Sequence, residues 1–400
     1  MKIAIISDVH LGDPKCKLIE GGALTQTYTA MREAMTKFTG GPPLDYFILN
    51  GDTLDFSINR FEDSCKIARP FFIAIKNDNL AKEIIFIPGN HDKHVWDAVE
   101  WETNIIRTMK DHKDPRKFRR VQEGLLDYDK GYLELPGVTT VGGPGRYGTL
   151  FLEGLFEEDR VLPISIVYPN LFIKAPGDTY LVTHGHMLEF AWVLLSEFLA
   201  DVVSRKKVTI KELEEFNIPL TSMVCTGVGQ AGDVSKLFYK IQQEAKKGRS
   251  GTLGRVMDHV IPKVDKMIDL GIWDFLDTAV LKVMKKWALK VAEKGVSDTR
   301  YDKHFFEKES VRMRFLTFYE ASCVQAKGLG LNPPWKILFG HTHDPMPPDN
   351  PMEITKKELP QLKGEKVWLY NTGGWLKEKG KSAEVFYLDD GGILSSLNIQ

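Results

Sequence analysis

The sequence predicts an α/β fold with parallel strands at its centre, and three observations carry the prediction. Three short apolar runs, Ile3 to Ile6, Tyr46 to Leu49 and Ile84 to Ile87, each stop at a cluster of polar residues and read as buried strands feeding loops. The stretches between them, Leu24 to Phe38 and Ile67 to Ile75, are long enough for crossover helices, which gives a β-α-β-α-β start. The polar clusters then fall at the carboxyl ends of the strands, where open α/β sheets place their sites.

Taken in order, the first run reads as a strand rather than a leader, because Ser7-Asp8 follows Ile6 directly and no cleavage site is present. A second strand-rich stretch comprises Tyr132 to Leu135, Val138 to Val141, Ile164 to Tyr168, Leu171 to Ile173 and Tyr180 to Val182, separated by Gly, Pro and Asn signals. From His186 to Trp335 the pattern turns helical. Leu188, Trp192, Leu195, Leu199 and Val202 recur at helical spacing, as do Val280, Val283, Met284, Trp287 and Val291. Lys282, Lys285, Lys286 and Lys290 then occupy a solvated face of the second of these helices. Strands return at Lys336 to Phe339, Val367 to Asn371 and Glu384 to Leu388, the last ending in the hairpin signal Asp389-Asp390-Gly391-Gly392. The organisation expected is a core of residues 1–187 and 335–400, interrupted by a helical insert over 188–334. Flanked by polar motifs on both sides, that insert is placed to be a cap, a substrate groove or an oligomer interface.

Composition narrows the class. A chain of 400 residues with 43% hydrophobic content buries a sizeable core. Its 53 basic and 54 acidic residues leave a net charge of -1, so no overall field draws it to nucleic acid or to an anionic membrane. Cys16, Cys65, Cys225 and Cys323 form no C-x-x-C and are too few for a disulfide framework, which fits reduced thiols in the cytoplasm. Glu189, Glu197 and Asp201 interrupt the richest apolar stretch, so a spanning helix is not expected, while peripheral membrane contact and a homo-oligomer stay open.

The polar clusters are Asp8-Val9-His10, Gly51-Asp52-Thr53-Leu54-Asp55, Gly89-Asn90-His91-Asp92, Thr183-His184-Gly185-His186 and Gly340-His341-Thr342-His343. Each alone is weak; together, in order, they supply the oxygen and nitrogen donors of a two-metal hydrolytic centre. Asp8 and His10 alternate on one loop and can hold one cation, with His343 closing that site. Asp52 is the expected bridge, since a carboxylate with one oxygen on each ion holds two metals about 3.5–4 Å apart. Asn90, His184 and His341 complete the second site.

These motifs resemble the signature of the calcineurin-like metallophosphoesterases, D-x-H, G-D-x-x-D, G-N-H-[DE], H-G-[DH] and G-H-x-H, from Asp8 to His343. The resemblance implies an α/β/β/α four-layer sandwich, two facing sheets with two divalent ions between their ends, and His341 and His343 divided between the ions. Manganese is the expected metal, with Fe, Zn, Co or Ni as alternatives for this thiolate-free donor set. It also implies a phosphohydrolase in which a hydroxide shared by the metals attacks phosphorus in line. His91 matches the family's non-ligand histidine, which protonates the leaving oxygen or stabilises charge, and Asp55 matches the carboxylate that fixes its tautomer. Asp92 is the rival for that orienting role.

Other features carry less. His186 is read as a substrate contact or a turn cap, and Asn371-Thr372-Gly373-Gly374-Trp375 as a structural turn, as is Gly142-Gly143-Pro144-Gly145. The basic stretch Lys110, Lys113, Arg116, Lys117, Arg119 and Arg120 is diluted by Asp111 and Asp114 and reads as solvated surface. Phe56-Ser57 stands after Asp55 where protein phosphatases of the family carry Arg-Gly, which argues against a protein substrate. Gly340 to Pro345 with an inserted helical region is similar to UDP-diacylglucosamine pyrophosphohydrolases, although His91 stands where those have Arg. The expected substrate is therefore a small or lipid-linked phosphodiester or pyrophosphate. A nuclease acting on DNA or RNA, and a non-catalytic metal-binding scaffold, are the alternatives.

Overall fold

The computed structural model describes residues 1–138, 150–156, 161–188, 208–222, 244, 251–255, 258, 309–360, 362, 364, 366–378 and 382–399. Its strands are β1 (Ile3–Ile6), β2 (Ile19–Glu20), β3 (Ala23–Leu24), β4 (Leu44–Asn50), β5 (Ala81–Ile87), β6 (Gly124–Asp127), β7 (Tyr132–Glu134), β8 (Ile164–Ile166), β9 (Asn170–Ala175), β10 (Asp178–Thr183), β11 (Lys336–Phe339), β12 (Met352–Thr355), β13 (Lys366–Asn371), β14 (Ala383–Leu388) and β15 (Leu394–Ile399). The helices are α1 (Gln26–Thr39), α2 (Phe61–Asn77), α3 (His94–Trp101), α4 (Arg107–Lys110), α5 (Leu150–Glu153), α6 (Ile210–Ser222) and α7 (Glu309–Gly328).

A six-stranded sheet runs in the order β15-β14-β1-β4-β5-β8, and a seven-stranded sheet in the order β12-β13-β11-β10-β9-β6-β7. In the first, β1, β4, β5 and β8 are parallel. Helix α1 connects β3 to β4 and α2 precedes β5, as the crossover reading requires. All four residues of β1 are buried, as expected of a central parallel strand. Helix α1 stops at Gly40, whose φ of 75° lets its N–H reach back to the carbonyls of Thr36 and Lys37. Helix α2 has Glu62 and Asp63 in its first turn and Lys76 in its last, matching the helix dipole at both ends. In the second sheet β10, β11 and β13 are parallel, β12 runs antiparallel to β13, and β9 runs antiparallel to β10 but parallel to β6. The hairpin signal closes as read, with the Gly392 N–H donating to the Asp389 carbonyl (2.9 Å) between antiparallel β14 and β15.

Residues of both sheets share one apolar core, which includes Ile5, Ile48 and Ile85 from the first and Val182, Leu338 and Tyr370 from the second. Strands β2, β3, β6, β12 and β15 are absent from the sequence reading; β12 and β15 are sheet edges, β6 lies between β9 and β7, and β2 and β3 pair with each other. Helix α3 passes into α4 through a π-turn at Glu102–Ile106.

The chain divides into two compact units, Met1–Gln230 with Phe306–Gln400, and Ala231–Phe305. Helices α6 and α7 belong to the first unit and fall inside the stretch read as an insert. The helical patterns at Leu188 to Val202 and Val280 to Val291, the lysine face beside the latter, Cys225, the Gly142 to Gly145 turn and most of Val138 to Val141 lie outside the described residues. Among those described, no helix is long and apolar enough to cross a membrane. Lys110, Lys113, Arg116 and Lys117 are exposed, so that part of the basic stretch is solvated.

Phe47 is fully buried in β4, between β1 and β5. Phe47→Ala is expected to cost about 3–5 kcal/mol, because the cavity cannot collapse inside a parallel sheet. Urea unfolding followed by circular dichroism measures it.

Candidate metal centre

Every polar motif sits just past the end of a parallel strand. Asp8 and His10 follow β1, Asp52 and Asp55 follow β4, and Asn90 and His91 follow β5; in the second sheet His184 follows β10 and His341 and His343 follow β11. Parallel strands end on a common edge, so each sheet delivers its motifs together. The two edges are then stitched. The Asn50 amide donates to the Thr183 carbonyl (3.0 Å) and the Trp375 N–H to the Asp8 carbonyl (3.0 Å), while within the second sheet the Gly340 N–H donates to the His184 carbonyl (2.9 Å). The His341 N–H meets both Asp8 carboxylate oxygens, at 3.0 and 2.9 Å.

The backbone here is strained. Asp8, His10, Asp52, His341 and His343 have φ of 54°, 52°, 50°, 66° and 58°, a left-handed conformation that side chains disfavour by about 1–3 kcal/mol each. Bonds such as His10 N–H to the Asp52 carbonyl (2.8 Å) and Asp8 N–H to the Gly51 carbonyl (3.0 Å) hold it. Two of the motif glycines are steric necessities. A Cβ at Gly51, where φ is 83°, would fall on the His184 ring, and one at Gly340 would fall on the Asp8 carboxylate and the Ser7 hydroxyl.

All seven expected ligands are buried. Asp8, His10 and His343 form one group with donor atoms within 4.8 Å of one another, and Asp52, His184 and His341 form another. In the first, the Nε2 atoms of His10 and His343 lie 3.2 Å apart and Asp8 Oδ1 lies 3.3 Å from His343 Nε2. In the second, His184 Nε2 lies 3.2 Å from Asp52 Oδ2 and 3.1 Å from Asn90 Oδ1, while the His184 Nδ1–H is committed to the Asn50 carbonyl (3.1 Å). Asp52 Oδ1 accepts from the His91 N–H (2.8 Å), but Oδ2 accepts no hydrogen bond. That oxygen instead faces the Nε2 atoms of His184, His10 and His91 at 3.2, 3.8 and 3.9 Å. Leaving such an oxygen buried without a partner is costly, and a cation among these lone pairs relieves it. The residues fit two divalent ions.

His10, Asp55 and His91 make a third group, with a different design. Asp55 Oδ2 accepts from His10 Nδ1 (2.9 Å) and Asp55 Oδ1 from His91 Nδ1 (3.1 Å), which turns both Nε2 atoms away from Asp55. Asp55 thus orients two histidines. Ser57, which the sequence reading passed over, donates to Asp55 Oδ1 (2.7 Å) and lies 2.8 Å from His91 Nδ1. Its place two residues after an acceptor aspartate is the local turn pattern that could have flagged it. Asp92, the rival orienter, is spent elsewhere, accepting from the backbone N–H groups of Thr53 (2.8 Å), Leu54 (3.1 Å) and Gly89 (2.6 Å). It fastens one loop to the next.

Asn371 braces the closing histidine loop, its amide donating to the Gly340 carbonyl (2.8 Å) and the Thr342 hydroxyl (2.9 Å), and Trp375 is fully buried, so this segment is the structural turn expected. Glu378 Oε2 lies 3.4 Å from His343 Nδ1, and the Ser7 hydroxyl bonds Asp8 Oδ2; no sequence signal marked either. His186 is buried with Nδ1 unpartnered, its ring beside that of His184 at 5.6 Å between centroids.

Burial pushes the Asp52 carboxyl up, but His184 and His91 hold it well below the usual range. Asp55 is likewise held well down against burial, chiefly by His91 and His10. Burial pulls His10 down, yet its bond to Asp55 and the field of Asp52 raise it to about 9. His184 rises against burial to about 9 through Asp52. Burial and the neighbouring Asp52 charge push Asp92 up to about 7.

The calcineurin-like phosphoesterase family model matches residues 1–210. A solved dimetal phosphatase from Danio rerio aligns with 100% of this chain and 98% of its own, at 10% identity and a TM-score of 0.31. No curated protein matches the chain.

With His10 and His184 raised to about 9, the metal-free protein carries protons on both rings at neutral pH, and a cation must displace them. Manganese binding at pH 7.5 is therefore expected to release protons, and affinity to fall as pH drops below about 9. Calorimetric titrations in buffers of different ionisation enthalpy measure the release.

Proposed function

This chain belongs to the calcineurin-like phosphoesterase family and is a hydrolase of phosphoric esters, and on that premise we propose that it is a two-metal phosphodiesterase or pyrophosphatase acting on a small or lipid-linked substrate. The single observation carrying the reading is Asp52 Oδ2, buried without a donor among three imidazole nitrogens. Asp8, His10 and His343 would hold one ion, Asn90, His184 and His341 the other, and Asp52 both. Two such ions, manganese by preference, would supply Lewis acidity to the phosphoryl oxygens and lower the pKa of a water towards neutrality.

The remaining work belongs to the chain's own side chains. His91, its Nδ1–H tied to Asp55, presents Nε2 on the side of Asp52 and, as an imidazolium, gives its Nε2 proton to the leaving oxygen or stabilises the charge developing there. Asp55 keeps that tautomer and, through His10, steadies the first group as well. Burial of the whole cluster excludes bulk water and strengthens each of these interactions. Residues 188–334 are read as a helical insert that serves as a cap, a substrate groove or an oligomer interface. Support for a substrate other than protein comes from Phe56-Ser57 in place of Arg-Gly, Phe56 being packed in the core and Ser57 engaged with Asp55 and His91. Among the described cysteines, Cys16, Cys65 and Cys323 form no disulfide, in keeping with a cytoplasmic setting.

With manganese present, bis-p-nitrophenyl phosphate is expected to turn over faster than p-nitrophenyl phosphate, and Asp52→Asn to abolish both rates. Faster monoester turnover would overturn the diester reading; an active Asp52→Asn would overturn the bridging role. Asp55→Asn is expected to lower kcat about 10–100-fold with little change in KM, since only the orientation of His10 and His91 is disturbed. Steady-state kinetics on the diester checks it.

A further inference from the structure

Lys93 stands three residues after Asn90 and is buried, 2% exposed. Its ammonium lies 3.2 Å from Glu214 Oε1 and 2.9 Å from Asp97 Oδ1. Glu214, also 2% exposed, comes from α6, far along the chain. Its second oxygen accepts from the Tyr168 hydroxyl at 2.8 Å. Tyr168 is fully buried, its ring stacked with His186 at 6.3 Å between centroids and its oxygen 3.5 Å from His186 Nε2. His186 in turn stands two residues after His184.

One carboxylate therefore anchors two loops. We infer that Glu214 is a positioning residue, supplied by α6, which holds the Asn90 and His91 loop through Lys93 and the His184 loop through Tyr168 and His186. The inference rests on the two-metal reading above, in which Asn90 and His184 serve the same ion. A buried ion pair gains little stability over an apolar pair of the same shape, so its physical contribution is to fix geometry. Partners behind metal ligands commonly set affinity by 10–100-fold. Both arms reach the second ion's ligands, whereas in the first ion's group Asp8 is braced by the Ser7 hydroxyl and His343 by Glu378, and His10 is joined to the His91 loop only through Asp55. Displacement of α6 is thereby felt directly at the second ion, and at the first only through the bonds of Asp52 and Asp55 to His91. His186 acquires a role that is neither ligand nor substrate contact.

The test is a manganese titration of the full chain, with free Mn²⁺ followed by electron paramagnetic resonance and total metal by mass spectrometry. Wild type is expected to bind two ions, with a spin-coupled signal from the pair. Glu214→Gln keeps the shape and the Tyr168 bond but removes the charge facing Lys93. It is expected to weaken one ion about 10–100-fold, lose the coupled signal at limiting metal and weaken the other ion by much less. Glu215→Gln, on the same helix and 40% exposed at its side chain, is expected to bind as wild type. Should Glu214→Gln fail to fold, Lys93→Met with Glu214→Gln removes both buried charges, and the same selective weakening is expected. Wild-type affinity for both ions, or equal weakening of both, in a folded variant overturns the inference. A wild-type protein that binds fewer than two ions overturns the metal reading itself, and the inference with it.

Discussion

Asp52 Oδ2 is buried, accepts no hydrogen bond, and has imidazole nitrogens of His184, His10 and His91 around it at 3.2 to 3.9 Å. An arrangement of this kind is unstable by itself, because each carboxylate and imidazole has lost water and gained only one another. The rest of the fold is arranged to tolerate it. The apolar sheets supply the stability that the site lacks, and their parallel strands end where the charged side chains must converge.

Convergence is obtained with strained backbone. Left-handed residues at Asp8 and His10 bring both side chains to the first group, and those at His341 and His343 send one histidine to each group. The same geometry explains the glycines beside them, since Gly51 and Gly340 leave room for the His184 ring and the Asp8 carboxylate. Five left-handed side-chain positions across the two edges mean that preorganisation is set by folding and does not await a ligand.

Around the donors lies a second set of polar groups with a division of labour. Asp55 turns His10 and His91 by their Nδ1 atoms, Asn50 turns His184, and Asp92 uses both oxygens on backbone N–H groups of two loops. Carboxylates of the same chemical type thus serve as donor, orienter and loop clamp. Which role each plays is decided by what surrounds its two oxygens, and residue identity does not reveal it.

The central strands were legible because a buried parallel strand needs a continuous apolar run, and Ile3 to Ile6 or Ile84 to Ile87 has no other good use. The hairpin at Asp389 to Gly392 was legible because its backbone demands those residues. Strands β12 and β15 were not, since their short, partly exposed sequences carry little apolar pattern and gain their structure from the neighbour they pair with. At the site, the donor types and their order were written in the chain, because the chemistry requires Asp, Asn and His beside glycine. The partners of those donors were not: Ser57, Glu378, Lys93 and Glu214 are ordinary residues in sequence, and only the fold brings them to a histidine or a ligand loop. By itself the sequence determined the family's chemistry and the strands that carry it, since both depend on residue type and local spacing. Tertiary structure alone decided which carboxylate orients which ring and which helix steadies which loop, because those depend on distances between residues far apart in the chain.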